Sequence, residues 1–119
     1  MARTRHYRDL IAWQKAMDLA RQVYERTDFP NSETFGLRMQ LRRSAVAVAS
    51  HIADGHGRLT DAEVRKGLGS ARGALNELQT QAELAGSLGF LNKPSAESLL
   101  DLSIEVAKLL NGSIGSLVP

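Results

Sequence analysis

The sequence predicts an all-α protein, an antiparallel up-down-up-down four-helix bundle. Three observations favour this fold: apolar residues recur every three or four positions, no stretch alternates with a period of two, and the connections between periodic segments are short. We expect one domain over residues 1–119, since 119 residues is a typical domain length. Hydrophobic residues at 43% and charged residues at 24% are ordinary values for a globular chain and do not indicate disorder.

The first two helices are predicted over about residues 8–28 and 33–54. Pro30 disfavours helical geometry at the residue before it, so the first helix is expected to end near Asp28. Capping groups for the second helix are offered by Asn31, Ser32 and Glu33. We expect Gly55 to close that helix in a left-handed conformation. Its apolar positions are Leu37, Leu41, Ala45, Val48 and Ile52.

The third and fourth helices are predicted over about residues 61–87 and 94–115. Thr60 and Glu63 have the spacing of a capping box, and Pro94 suits the first turn of a helix. The third helix carries apolar residues at alternating spacings of four and three, which is typical of a bundle seam. These residues are Val64, Leu68, Ala71, Leu75, Leu78, Ala82 and Ala85.

Small residues crowd the middle of the third helix. Gly67, Gly69 and Gly73 lie within seven residues, and each interior glycine costs about 1 kcal/mol of helix stability relative to alanine. Close approach of another helix would offset this cost. That helix could belong to the same bundle or to another subunit, and we favour a subunit contact for at least one face.

Candidate catalytic and metal-binding groups are few. Cysteine is absent, which excludes disulfides, thiolate metal sites and cysteine nucleophiles. His51 and His56 are five residues apart rather than four, and Glu77 and Glu83 are six apart, so neither pair shares a helix face. We therefore predict no enzyme, no cofactor and no metal site.

The composition also bears on location and on ligands. No apolar run is long enough to span a membrane, and the basic start of the chain is not followed by the apolar core of a signal peptide. Together with the absence of cysteine, this predicts a cytoplasmic protein. Aromatic residues make up only 5% of the chain, which leaves little for a base-stacking platform.

Positive charge is concentrated in the first half of the chain. Residues 1–58 hold ten Arg and Lys against six Asp and Glu, whereas residues 59–119 hold five against seven. This asymmetry indicates one basic surface, suited to phosphate groups or to the acidic half of a neighbouring subunit. Candidate phosphate contacts are Arg38, Arg42, Arg43, Arg58, Arg65 and Arg72. The alternative is that these arginines form solvated or intersubunit ion pairs.

An ordered set of residues resembles one known family. The set comprises Asp9-Leu10, Trp13-Gln14, Ala16, Leu19-Ala20, Tyr24, Thr27, Phe29-Pro30, Glu33, Gly36-Leu37, Gln40, Arg42-Arg43, Ile52-Ala53, Gly55, Gly57-Arg58, Gly73 and Glu77-Leu78. It is similar to the four-helix-bundle proteins encoded in intervening sequences of 23S ribosomal RNA genes. The accessory variability determinant of diversity-generating retroelements is related to them.

This resemblance implies a homo-oligomeric ring, with a pentamer as the favoured arrangement. It also implies a basic surface, which in the retroelement branch binds RNA and a reverse transcriptase. Arg43 and Arg58 match the family pattern directly, whereas the other four candidate arginines are inferred from their placement.

Two functions follow as hypotheses. The first is a non-enzymatic adaptor that holds structured RNA or DNA by phosphate contacts, and the second is a protein–protein scaffold with no nucleic-acid role. Replacing Arg42 and Arg58 by Glu should abolish nucleic-acid binding and leave the oligomer intact under the first hypothesis. Under the second hypothesis it should dissociate the oligomer or leave nucleic-acid affinity unchanged.

Overall fold

The computed structural model describes residues 6–28, 33 and 36–116, and these residues form four α-helices and no strand. The helices are α1 (Ile11–Arg26), α2 (Leu37–His56), α3 (Asp61–Ser87) and α4 (Lys93–Gly115). A short 3-10 turn, Tyr7–Asp9, precedes α1. The predicted all-α four-helix bundle is confirmed.

Each helix packs against the next, and α1 also packs against α4. The most extensive contact joins α2 and α3. There Ser44, in the first half of α2, donates a hydrogen bond to Gln81, late in α3, while Gly55, late in α2, lies against Gly67, early in α3. These two contacts show that α2 and α3 run in opposite directions.

The core is formed by the apolar faces of all four helices. Every residue of the seam predicted for α3 is buried, and α2 contributes Leu41, Ala45, Val48 and Ile52 at no exposure. These are positions at which the apolar period matched the helical repeat, so burial follows from the pattern. The core is therefore the part of the fold that the sequence specifies most directly.

The start and end of α1 differ from the sequence prediction. Leu10 is extended rather than helical, so α1 begins at Ile11. It ends at Arg26 because Thr27 leaves helical geometry, with φ −104° and ψ 47°, while the Thr27 hydroxyl donates to the carbonyl of Val23 at 2.6 Å. Pro30, to which the end was attributed, lies outside the described residues.

Helix α2 starts at Leu37, four residues later than predicted. The carboxylate of Glu33 accepts a hydrogen bond from the Leu37 backbone N–H at 3.0 Å, so Glu33 satisfies a free donor at the start of the helix. Gly36 between them is not helical, with φ −104° and ψ −124°. The other predicted capping residues, Asn31 and Ser32, lie outside the part of the chain that the structure describes.

The caps of the last two helices follow their sequence signals. The Thr60 hydroxyl accepts from the Glu63 N–H at 3.2 Å, and the Asn92 side chain accepts from the Ser95 N–H at 2.8 Å. Pro94 lies in the first turn of α4. These contacts fix where α3 and α4 begin, and so hold the two turns at the ends of the bundle.

The prediction for Gly55 was wrong. Among the described residues only Gly89 has a positive φ, at 81°, whereas Gly55 is buried inside α2, which continues to His56. Its missing side chain serves a close crossing instead: a Cβ on Gly67 would lie 2.5 Å from the Gly55 Cα. At least one close approach predicted from the glycines therefore lies within the bundle. A Cβ added to Gly69 or Gly73 would have no atom within 4 Å apart from the neighbouring backbone of α3 itself.

The crossing generates a prediction about stability. Gly67→Ala should lower the free energy of unfolding by about 2 kcal/mol, because backbone must move to admit the methyl group. Gly69→Ala, two residues away in open space, should raise it by about 0.5–1 kcal/mol, because alanine is the better helix former. Urea unfolding followed by circular dichroism compares the two. Equal stability of both variants would contradict the crossing.

Candidate nucleic-acid interface

The six candidate arginines do not form one surface. Arg38, Arg42 and Arg43 lie in the first half of α2, Arg58 follows the end of that helix, and the remaining two lie on α3. Fifteen residues separate Arg43 from Arg58, which corresponds to about 20 Å along a helix axis at about 1.5 Å per residue. Arg72 faces α4, since its guanidinium donates to the Asn111 side chain at 3.1 Å. The structure therefore brings three of the six together and separates the rest.

Arg42 is bound within its own chain. Its Nε donates to the Thr27 hydroxyl at 3.0 Å, and one Nη donates to the backbone carbonyl of Tyr24 at 3.2 Å and to that of Thr27 at 3.5 Å. The guanidinium also lies over the Tyr24 ring, 4.6 Å from its centroid. A cation at this position satisfies carbonyls that the end of α1 leaves without partners and opposes the negative end of its dipole. Arg42 thus holds α1 to α2.

Arg58 and Arg65 are also occupied or partly enclosed. Arg58 forms an ion pair with Asp54 at 2.7 Å, and the hydrogen bond to Asp54, followed by attraction to its charge, raises the pKa of the guanidinium above its ordinary value. The Nε of Arg65 is buried and has no hydrogen-bond partner among the described residues.

Arg38 and Arg43 differ from Arg42, Arg58 and Arg72, each of which has a partner in the chain. Neither forms a hydrogen bond or an ion pair with any residue in the described ranges, and Arg43 is exposed while Arg38 is half-buried. The helix that carries them has no acidic residue from Leu37 to Ala53. These two guanidinium groups are the accessible cations of the α2 surface.

Both arginines line a groove between the end of α1 and the first half of α2, called here the α1–α2 groove. Its volume is about 640 Å³, and it is lined by Tyr24, Arg38, Met39, Arg42, Arg43, Val46 and Ala47. Two large side chains remain half-exposed in it, Tyr24 at 49% and Val46 at 46%. Sequence analysis missed the apolar members, because the periodicity assigns Tyr24 to a helix but does not say that the end of α1 packs beside Val46.

A second groove, called the α2–α3 groove, lies on the outer side of α2 and α3. It has a volume of about 590 Å³, and its small residues are Ala47, Ser70, Gly73 and Ala74. Polar side chains also line it: Gln40, Arg43, Ser44, His51, Glu77 and Gln81. Gln81 accepts from Ser44 at 2.8 Å and contacts Gln40 at 3.5 Å. The small residues leave room for a neighbouring element to approach the two helices closely.

The described residues hold no cluster suited to a metal ion. Nowhere in the described ranges do three or more His, Asp or Glu side chains come together. His51 lies in the α2–α3 groove, whereas His56 is the last residue of α2. Among the helices of the described chain, none combines the length and apolar character needed to cross a membrane.

The fold and these surfaces define a class: a small helical bundle with an arginine-lined groove. Comparison with known proteins gives the family, because the sequence profile of the 23S rRNA-intervening sequence proteins matches residues 8–112. The chain belongs to this family, as its resemblance predicted.

A solved structure has the same fold. It is the crystal structure of a protein with unknown function from the S23 ribosomal protein family of Bacteroides thetaiotaomicron, with a TM-score of 0.81 and 22% identity. The match covers 87% of this chain and 98% of that chain, and at this identity it shows the fold alone. No curated protein matches the chain significantly.

The contacts of Arg42 generate a prediction. Arg42→Ala should lower the free energy of unfolding by about 1–2 kcal/mol, because the Tyr24 carbonyl and the buried Thr27 hydroxyl lose a charged donor. Arg38→Ala, one turn earlier on the same helix, should change it by about 0.5 kcal/mol or less, because Arg38 has no described partner to lose. Thermal and urea unfolding measure both values. A larger loss for Arg38→Ala would contradict the assigned role of Arg42.

Proposed function

We propose that the protein is a non-enzymatic, self-associating bundle that binds structured nucleic acid through phosphate contacts. One observation carries the proposal: Arg38 and Arg43 are cations without described partners, on a helix that has no acidic residue from Leu37 to Ala53. Guanidinium groups suit this task because they donate two parallel hydrogen bonds to phosphate oxygens. The other candidate arginines enter as contributors to the electrostatic field, since Arg42, Arg58 and Arg72 already have partners in the chain and the Nε of Arg65 is buried.

The family name supports the choice of partner. The family is described by its association with intervening sequences of 23S rRNA, and the similar crystal structure is assigned to a ribosomal protein family. Both descriptions refer to proteins connected with RNA or its genes. We accordingly place the activity in the cytoplasm, where the cysteine-free composition suits a reducing environment.

Self-association is the second part of the proposal, and a ring of five subunits is the arrangement we favour. Self-association is supported by the α2–α3 groove, in which small residues leave space beside α2 and α3. A Cβ added to Gly73 in this groove would have no atom within 4 Å apart from the neighbouring backbone of α3. Contacts inside the bundle therefore do not offset the cost of this glycine to helix stability. A neighbouring subunit seated there would offset it.

The second candidate function is a protein scaffold without nucleic acid. It is favoured by large apolar side chains on the surface: Leu84, in the last turn of α3, is 48% exposed, Leu88, directly after that helix, is 56% exposed, and Leu59 is 94% exposed. Apolar residues next to each other on a surface mark protein interfaces. The two candidate functions differ in whether the free arginines of α2 contact a phosphate backbone.

A charge-reversal experiment tests the proposal. Fluorescence anisotropy of a labelled RNA duplex and a labelled DNA duplex should show binding that weakens with salt, because neutralised phosphates release counterions. Replacing both Arg38 and Arg43 by Glu should weaken binding by about tenfold or more. It should also reduce the slope of log affinity against log salt by about two per engaged subunit.

The matched control replaces Lys66 and Lys108 by Glu. These exposed lysines lie on α3 and α4, and reversing them makes the same change in net charge away from the α1–α2 groove. Arg42 and Arg58, which sequence reasoning had chosen for this test, are left intact, because Arg42 joins α1 to α2 and Arg58 is already paired with Asp54. Sedimentation velocity checks that all variants keep the wild-type assembly. Equal losses in both double variants, or no binding at low salt, would refute the proposal and favour the scaffold.

A further inference from the structure

The α1–α2 groove combines apolar and cationic side chains in a way that phosphate binding alone does not require. Tyr24, Met39 and Val46 give it an apolar lining, and Arg38 and Arg43 stand at the same groove. Its volume of about 640 Å³ lies within the range of small-ligand sites, about 300–1,000 Å³. A phosphate backbone on its own would leave the apolar part of the groove facing water.

Arg42 holds the aromatic ring of the groove, Tyr24, in place. Arg42 donates to the carbonyl of Tyr24 and also covers the Tyr24 ring, so one guanidinium fixes both parts of the residue. Thr27 anchors the other side of that guanidinium at 3.0 Å. A ring restrained in this way loses little freedom when a second flat group stacks on it. About half of the Tyr24 surface remains exposed, which leaves area for such a group.

The two free cations lie at different positions around this lining. Arg38 and Arg43 are five residues apart, which places them about 140° apart around α2 at about 100° per residue. Both nevertheless line the groove. Two cations separated in this way can contact the two phosphates on either side of one nucleotide.

We infer that the α1–α2 groove binds an unpaired nucleotide, with its base stacked on the part of the Tyr24 ring that Arg42 leaves exposed, against Met39 and Val46, and its flanking phosphates on Arg38 and Arg43. This inference rests on the proposed nucleic-acid function and names the part of the ligand that the groove takes. A paired base is already stacked in its duplex, so only an unpaired base can enter the groove. Tyr24, the one aromatic residue among those that line the groove, provides a site for one base, which agrees with the low aromatic content of the chain.

The test compares two RNA duplexes of the same sequence, one fully paired and one with a single bulged adenosine. The wild-type protein should bind the bulged duplex about five- to a hundredfold more tightly, which is the range that base–aromatic stacking supplies. Tyr24→Leu should lose this preference and bind both duplexes alike, whereas Tyr24→Phe should retain it. Because Arg42 bonds to the backbone carbonyl of Tyr24 and to Thr27, its hydrogen bonds survive both substitutions. The urea midpoints of the variants check this.

The outcomes separate this inference from the proposed function. Equal affinity of the wild type for both duplexes, with the Arg38 and Arg43 reversal still weakening each, would overturn the nucleotide site and leave phosphate binding standing. A bulge preference that Tyr24→Leu retains would also overturn the site. Failure of both duplexes to bind would overturn the two together. An acidic amphipathic peptide that displaces the bulged RNA from wild type and Tyr24→Leu equally would assign the groove to a protein.

Discussion

Arg42 joins the end of α1 to the side of α2, and both the site and the bundle depend on that contact. It reaches the carbonyl of Tyr24, the hydroxyl and carbonyl of Thr27 and the face of the Tyr24 ring. A lysine, with a single charged nitrogen, could not reach these acceptors in one geometry. The same contact turns Tyr24 towards the groove and removes Arg42 from the set of accessible cations. One side chain therefore caps the end of α1 and shapes the surface beside it.

The α2–α3 pair is set by a different constraint, the absence of side chains at the Gly55–Gly67 crossing. A Cβ on either glycine would lie 2.9 Å or less from backbone atoms of the other helix. Because these atoms are backbone and not the end of a flexible side chain, a helix would have to move to admit the Cβ. The crossing lies near the turn that joins the helices. Towards the opposite ends, Ser44 and Gln81 bridge the two helices with a polar contact. This mixture of close and polar packing leaves the shallow α2–α3 groove.

The core and the helix count could be predicted from sequence because apolar residues that recur with the helical period form one face of a helix, and that face is the one that is buried. The seven-residue seam of α3 is buried throughout, and its Thr60 cap forms as predicted. The errors fell where tertiary contacts decide local geometry. Gly55 was assigned to the left-handed end of α2. A glycine is needed there because the backbone of Gly67, twelve residues later on α3, lies against it. Likewise, Arg42 and Arg38 look equivalent in sequence, one turn apart, and only the packing of α1 distinguishes the bound arginine from the free one.

The small number of free cations in the α1–α2 groove explains why assembly belongs to the proposed function. Two accessible arginines neutralise about two phosphates, and each contributes a slope of about 0.9 to the salt dependence, so one subunit would hold a nucleic acid weakly at physiological salt. Joining several such sites on one particle makes later contacts intramolecular and can raise affinity by about 10²- to 10⁴-fold without any new contact. The measured salt slope divided by the contribution of one subunit then counts the subunits that touch the nucleic acid. A protein with an uncharged groove and a larger basic patch would not need to self-associate.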